Sequence, residues 1–201
     1  MKGKLIAFEG IDGCGAETQA KGLLQHLTQR DLPSRLFDYP NYSSPTGKLI
    51  REYLYSSREF NPNMQFLLHL ADKVQDVPEI RSCMERGQTV ICNRYFTSML
   101  AYQCGQGFPL DKALGMAETF GIPKPDFVFY LRISPETSLK RKEREKDGEI
   151  DRNERDSQLK ERVSGMYEKL VRENVFGHWY VIDGEGSVEE VFGQVRKILQ
   201  L

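Results

Sequence analysis

A glycine-rich turn between a short apolar strand and a helix constrains this chain more than any other feature. Residues 4–8 are predicted to form a buried strand, and apolar residues recur at helical spacing over 20–27. Between them, the sequence FEGIDGCG (residues 8–15) holds three glycines that let backbone N–H groups wrap around a phosphate chain at a helix N-terminus. Glycines used only for tight geometry are the alternative, but the position between strand and helix favours a phosphate-binding loop.

The loop lacks two side chains of a complete phosphate-binding motif. The pattern G-x-x-x-x-G-K-[ST] would place a lysine and a hydroxyl where Ala16 and Glu17 stand. The usual cation for the β- and γ-phosphates and the usual hydroxyl for Mg²⁺ are therefore missing. Backbone binding of phosphate is still predicted.

Length and charge narrow the class of protein. A chain of 201 residues suits a single domain, 1–201, with a full core. A net charge of −1 argues against a general nucleic-acid binder. A signal peptide is not expected, because the first residues lead directly into a strand. A membrane span is not expected either, because no apolar run approaches the ~18 residues that it requires. We therefore expect a soluble, cytoplasmic protein with no nucleic-acid or membrane partner.

Cysteine and histidine spacing gives no sign of a metal site. The four cysteines form no C-x-x-C pair and are expected to be reduced, and three of them are expected to be packing residues. The three histidines are scattered without the spacing of metal ligands. A structural zinc is not expected.

The order of predicted elements indicates an α/β fold. Strands are expected at 34–39, 88–92, 126–131 and 179–182, a short helix at 47–55, and one long helix at 64–86. Apolar strands separated by helices imply a five-stranded parallel sheet covered on both faces. Ligands bind such sheets beyond the carboxyl ends of the strands. The edge segments there are residues 10–15, 38–40 and 93–95, with Arg132 and Asp183.

Several motifs in the right order resemble the thymidylate kinase family of P-loop nucleoside monophosphate kinases. Residues 8–13 with Thr18-Gln19 look like its phosphate loop, and 123–136 like its fourth strand. Residues 67–73 and 93–103 are similar to its monophosphate pocket. Residues 140–154 resemble its lid, in the variety that supplies arginines from the lid itself. For the charged run 140–162, a solvated helix with i/i+4 ion pairs is the alternative, but Gly148 between two helical stretches favours a mobile lid.

The resemblance implies a three-layer P-loop NTPase-type fold with a helical lid at approximately 141–155. It also implies ATP-dependent phosphorylation of dTMP, or of a closely related pyrimidine monophosphate, to the diphosphate in dTTP synthesis. ATP is then the phosphate donor and Mg²⁺ the metal. Small nucleotides are the expected partners, and a homodimer is expected to form through helix packing, for which the helix at 64–86 is available.

Site residues follow from the same resemblance. Donor binding is assigned to Gly10, Asp12, Gly13, Cys14, Gly15, Ala16, Glu17 and Thr18, with Asp12 and Glu17 near the metal. Acceptor binding is assigned to Glu9, Asp12, Tyr39, His69, Lys73, Arg94, Ser98, Tyr102 and Gln103. Catalytic roles are assigned to Asp12, Glu17, Arg94, Arg132, Arg141, Arg144 and Arg152. Arg94 is expected to pair with the acceptor phosphate, and Arg141, Arg144 and Arg152 to close over the donor.

Departures from the family pattern cluster at the chemistry. Where the family has a lysine followed by a hydroxyl residue in its phosphate loop, this chain has Ala16 and Glu17. The family's carboxylate, its arginine and the aromatic that stacks on thymine are replaced here by Asn93, Lys73 and His69, respectively. The changes pair up in sign, which favours relocated charges: Glu17 would replace the carboxylate lost at Asn93, and Arg132 the cation lost at Ala16. A salt bridge between Glu17 and Arg132 that fills a dead pocket is the alternative.

Two other functions remain open at this point. A nucleotide-binding pseudokinase is supported by the missing lysine. A deoxynucleoside kinase on the same fold is disfavoured because Arg94 and the lid arginines suit an acceptor that already carries a phosphate.

Overall fold

A parallel sheet of five strands runs through the residues described by the computed structural model, 2–144 and 151–201. The strands are β1 (Leu5–Glu9), β2 (Ser34–Asp38), β3 (Thr89–Asn93), β4 (Phe127–Arg132) and β5 (Trp179–Asp183), in the spatial order β2-β3-β1-β4-β5. Every residue of β1 is buried, as expected for the central strand of a parallel sheet covered on both faces. The strands predicted from the apolar runs are confirmed to within one residue.

Ten helices connect and cover the strands in this part of the chain. They are α1 (Ala16–Thr28), α2 (Pro45–Tyr55), α3 (Pro62–Val74), α4 (Val77–Glu85), α5 (Phe96–Gly105), α6 (Leu110–Thr119), α7 (Pro135–Arg144), α8 (Arg152–Arg155), α9 (Ser157–Arg172) and α10 (Val188–Leu199). Helix α1 packs against β1, β2, β3 and α10, and α5 packs against α9. No helix of the described segments is long and apolar enough to cross a bilayer.

The prediction of one long helix at 64–86 is wrong. The chain breaks there at Gln75 and Asp76, which separate α3 from α4. Pro78 lies in the first turn of α4, where a missing N–H is tolerated but would interrupt a continuing helix. The Asp76 carboxylate accepts a hydrogen bond from Tyr39 Oη at 2.9 Å, which ties the break to the end of β2.

The lid is described only in part. Helix α7 is described as far as Arg144, and α8 begins at Arg152. Gly148, on which the prediction of a mobile lid rested, lies outside the described residues. Asp156 caps the following helix, since its Oδ1 accepts the Leu159 N–H at 2.9 Å.

Candidate active site

A cleft of about 1270 Å³ opens at the carboxyl edge of the sheet. It exceeds the roughly 300–1,000 Å³ of a pocket for one small molecule. Among the predicted residues, it is lined by Asp12, Gly13, Cys14, Gly15, Ala16, Glu17, Thr18, Tyr39, His69, Lys73, Arg94, Ser98, Tyr102, Gln103, Arg141 and Arg144. Glu9, Gly10, Arg132 and Arg152 do not line it. The cleft therefore has room for two nucleotides.

The phosphate loop has the backbone that its glycines predict. Gly15, directly before α1, has φ 88°, and no side chain caps this helix. The N–H groups of Glu17 and Thr18, in the first turn of the 13-residue helix, are thus available to an anion. A Cβ at Gly10 would lie 2.8 Å from the Leu131 carbonyl oxygen, so the loop requires glycine where it passes β4.

Arg94 is fixed at the floor of the cleft. Its Nη2 lies 2.6 Å from Asp12 Oδ1, and its Nη1 donates to the Gly10 carbonyl at 2.8 Å. The Tyr102 hydroxyl donates to the other Asp12 oxygen at 3.1 Å. Arg94 also has φ 60°, a strained backbone for a residue other than glycine. Because Asp12 pairs with Arg94 and accepts the Tyr102 hydroxyl, it is placed to orient Arg94.

Glu9 acts from behind the cleft. Its fully buried carboxylate accepts hydrogen bonds from the Tyr95 N–H (2.9 Å), Thr97 Oγ1 (2.6 Å), Tyr167 Oη (2.9 Å) and Ser98 Oγ. Burial raises the pKa of Glu9, while the hydrogen bonds oppose the shift. Glu9 was expected to contact the substrate, but it does not line the cleft and has a structural role in this fold. The Glu9 carboxylate holds the start of α5, the helix that carries Ser98 and Tyr102 into the cleft.

One end of the cleft combines a neutral imidazole with a buried ammonium. Burial, together with the charge of Lys73, lowers the pKa of His69 to about 3, so its ring is neutral near pH 7. Lys73 Nζ lies 3.6 Å from Asp72 Oδ2 and 4.7 Å from the centroid of the Tyr39 ring. Burial lowers the pKa of Lys73, and Asp72 opposes that shift. Gln103 adds an amide to the same cleft.

Arg141 lies against the phosphate loop at the other end. Its Nη1 is 3.3 Å from the Gly13 carbonyl oxygen and its Nη2 is 2.7 Å from that of Gly184. The Glu185 carboxylate accepts the Ser134 N–H at 2.6 Å and Thr137 Oγ1 at 2.5 Å, which secures the start of α7. A guanidinium is therefore held beside the loop from which the usual lysine is missing. Arg144, exposed at the end of α7, faces the same cleft.

Arg132 does not reach the phosphate loop, contrary to expectation. Its Nε and Nη2 bond the Glu168 carboxylate of α9 at 2.8 and 2.6 Å. Alternation along β4 explains this direction: Tyr130, two residues earlier on the same face, stacks on Tyr167 of α9. Glu17 instead pairs with Lys21, one helical turn further on. The alternative of a Glu17–Arg132 salt bridge is therefore wrong.

Arg152 is also displaced from its expected position at the donor phosphates. Its side chain contacts the segment between α2 and α3, where Nη1 lies 2.9 Å from Glu59 Oε2. Its sequence neighbours Asp151 and Asn153, and not Arg152 itself, line the cleft.

Asp38 is a cleft residue that the sequence reasoning left out of the site. It ends β2 beside Asn93, its register partner on β3, and accepts a hydrogen bond from Asn93 Nδ2 at 2.7 Å. Burial raises the pKa of Asp38, and the negative charge of Glu17 adds to this shift. A carboxylate at a strand end on the ligand edge was the available signal. Glu185, Gly186 and Val188, after β5, were missed as well.

The carboxylates of the cleft suit a magnesium ion whose other ligands are phosphate oxygens of the substrate and water. The described residues hold no cluster of three or more His, Cys, Asp or Glu side chains suited to a metal ion. In phosphoryl-transfer sites, however, Mg²⁺ needs only one or two carboxylates besides phosphate oxygens and water. Glu17 and Asp38 both line the cleft and provide that number.

Proteins similar to this chain match it over nearly its whole length. A family model described as thymidylate kinase matches residues 8–195. The thymidylate kinase of Carboxydothermus hydrogenoformans is 35% identical over 206 residues, covering 100% of this chain and 98% of that protein. The one from Dictyostelium discoideum is 28% identical, covering 98% of this chain and 85% of its own. A solved thymidylate kinase structure from Candida albicans matches with TM-score 0.80 and 25% identity over 99% of this chain and 92% of that one. The predicted fold is confirmed.

Proposed function

Because the chain belongs to the thymidylate kinase family, we propose that it transfers the γ-phosphoryl group of ATP to dTMP or a closely related pyrimidine monophosphate. An oxygen of the acceptor phosphate attacks the γ-phosphorus, the bond to the β–γ bridging oxygen breaks, and ADP leaves. The diphosphate formed serves dTTP synthesis. Neither the pseudokinase nor the deoxynucleoside kinase alternative is favoured by the relatives.

The observation that carries this proposal is the pair of guanidinium groups beside the phosphate loop. Arg94 is bonded to Asp12 and Gly10, and Arg141 contacts the next residue of the loop, Gly13. If the phosphate groups of the acceptor and the donor meet beside Asp12 and Gly13, Arg94 and Arg141 would provide one fixed cation for each of them. Transfer between phosphates depends on such positioning and charge neutralisation.

At the acceptor end, Arg94 pairs with the monophosphate. Asp12 and the Gly10 carbonyl hold its guanidinium, and Tyr102 holds Asp12 in turn, so little side-chain entropy is lost when the acceptor binds. We assign His69 to stacking on the base, and Lys73 and Gln103 to its polar edge. Lys73 is a donor only, which suits a base with a carbonyl oxygen at that edge.

At the donor end, Arg141 takes the role that the sequence had assigned to Arg132. Its contacts to the Gly13 and Gly184 carbonyls leave its positive charge beside the phosphate loop. The N–H groups of Glu17 and Thr18 in the first turn of α1 bind phosphate oxygens, and Arg144 adds a second cation. Glu17 and Asp38 would hold Mg²⁺, which supplies charge neutralisation between the β- and γ-phosphates when bound.

The test is turnover with a panel of acceptors. Purified protein is incubated with Mg-ATP and each of dTMP, dUMP, dCMP, UMP, dGMP and thymidine, and each product is quantified. We expect dTDP as the main product. Formation of dTMP from thymidine would favour the nucleoside kinase, and nucleotide binding without any product would favour the pseudokinase.

A cytoplasmic homodimer completes the proposal. Met64 and Leu67, 38% and 50% exposed, lie one turn apart on α3 and form an apolar strip that a second copy of the chain would cover. All four cysteines are free thiols, which suits a reducing compartment. Light scattering after size exclusion tests the dimer, and Leu67→Lys should yield monomers.

A further inference from the structure

Arg152 connects α8 to the segment between α2 and α3. The Nη1 atom of Arg152 contacts Glu59, and its Nη2 atom donates to the carbonyl oxygens of Arg58 at 3.1 Å and Ser56 at 3.2 Å. Its guanidinium carbon lies 4.2 Å from the centroid of the Tyr53 ring. One side chain thus makes four contacts with a stretch of seven residues, 53–59.

The strength of this connection lies in the carbonyls and the ring. The side chain of Glu59 is 78% exposed, and such ion pairs contribute little in water. The side chain of Arg152 is only 25% exposed, stacked on Tyr53 and forked onto two backbone oxygens. Lysine, a compact ammonium without a planar fork, cannot reproduce that combination.

The contact joins two walls of the cleft. Asp151 and Asn153, on either side of Arg152, line the cleft, and so do Leu54 and Tyr55 at the end of α2. Tyr53 packs in a small buried cluster with Leu68 of α3, the residue before His69. The position of α8 is therefore linked through packed side chains to the helix that carries His69 and Lys73.

We propose that Arg152 is a positioning residue for the acceptor, and not a ligand of the donor phosphates. It fastens α8 to the α2–α3 segment so that Asp151 and Asn153 stand opposite α2 around the acceptor base and sugar. The inference rests on the proposed function, since it concerns the same cleft. It differs from the lid role, in which an arginine stabilises the transferred phosphoryl group.

Steady-state kinetics of Arg152→Ala and Arg152→Lys, with dTMP and ATP varied in turn, separate the two roles. We expect the KM for dTMP to rise about tenfold in both variants, because the acceptor wall is displaced. The KM for ATP should stay within about twofold and kcat within about threefold. Glu59→Gln should resemble the parent, as should Arg155→Ala, which removes an exposed arginine from the same helix.

Hydrogen exchange provides a readout that does not depend on turnover and that also shows whether the rest of the fold is intact. Faster exchange confined to 53–59 and 151–155 in Arg152→Lys, with the sheet unchanged, is the expected result. A fall in kcat of tenfold or more with an unchanged KM for dTMP would overturn the inference, and so would parent-like kinetics. A parent enzyme that makes no dTDP would instead overturn the proposed function, and this inference with it.

Discussion

Replacing Arg141 by alanine tests the source of the missing positive charge. The guanidinium is held by Gly184 O at 2.7 Å and Gly13 O at 3.3 Å, so it is already in place before ATP binds. Loss of one preorganised group that stabilises transition-state charge typically lowers kcat by about 10²- to 10³-fold, or roughly 2.7–4 kcal/mol. We expect Arg141→Ala to fall in that range. Affinity for ATP should change less, because the N–H groups of α1 remain.

Arg132→Ala is the matched control for this experiment. It also removes an arginine near the carboxyl edge, but one that is half exposed and paired with Glu168. An exposed ion pair contributes about 0–1 kcal/mol, so kcat should stay within about twofold of the parent.

The assay couples ADP release to NADH oxidation at saturating dTMP and Mg-ATP. The melting temperature of each variant shows that it is folded. Loss of turnover in Arg132→Ala with full turnover in Arg141→Ala would refute the assignment of Arg141 as the cation that replaces the missing lysine. It would restore the assignment of that role to Arg132. Full turnover in both would remove both arginines from the chemistry.

Three further variants test the remaining assignments. Arg94→Ala should raise the KM for dTMP and lower kcat, and unchanged values of both would contradict its pairing with the acceptor phosphate. Asp38→Asn should weaken the binding of Mn²⁺ to the ATP complex, measured by electron paramagnetic resonance, whereas unchanged binding would exclude Asp38 as a ligand. His69→Phe should bind dTMP at least as tightly as the parent in calorimetry. Because the folded pKa of His69, about 3, lies below its ordinary 6.5, the unfolded chain takes up a proton first as pH falls. Urea unfolding should therefore show the parent losing more stability than His69→Phe between pH 6.5 and pH 4, and parallel losses would contradict the burial of the ring.

The sheet was predictable because each strand is a short apolar run. Leu5–Glu9 and Thr89–Asn93 are buried along almost their whole length, so their pattern owes little to distant contacts. The break between α3 and α4 was missed for the opposite reason. The apolar spacing continues across it, and only Pro78 and the contact from Tyr39 to Asp76 mark the end of the first helix.

The site was predictable as far as strand ends determine it. Asp12 and Arg94 follow neighbouring strands and were expected close together, and they form an ion pair of 2.6 Å. The direction of a side chain depends on what packs against it, which the sequence does not state. Arg132 turns towards α9 because Tyr130 on the same face already stacks there, and Arg152 turns towards Tyr53.

The predicted charge replacements, Glu17 for Asn93 and Arg132 for Ala16, named other residues than those that the structure brings together. The carboxylate expected at position 93 has a neighbour on the next strand, since Asp38 is the register partner of Asn93 and accepts its amide. The cation expected at position 16 likewise has a counterpart on α7, where Arg141 reaches the carbonyl of Gly13. Asp38 and Arg141 are distant in sequence from positions 93 and 16 respectively, and they line the same cleft only in the folded chain. A loop without its lysine therefore does not imply a cleft without its charge, and activity should depend on Arg141 more than on any residue of the loop itself.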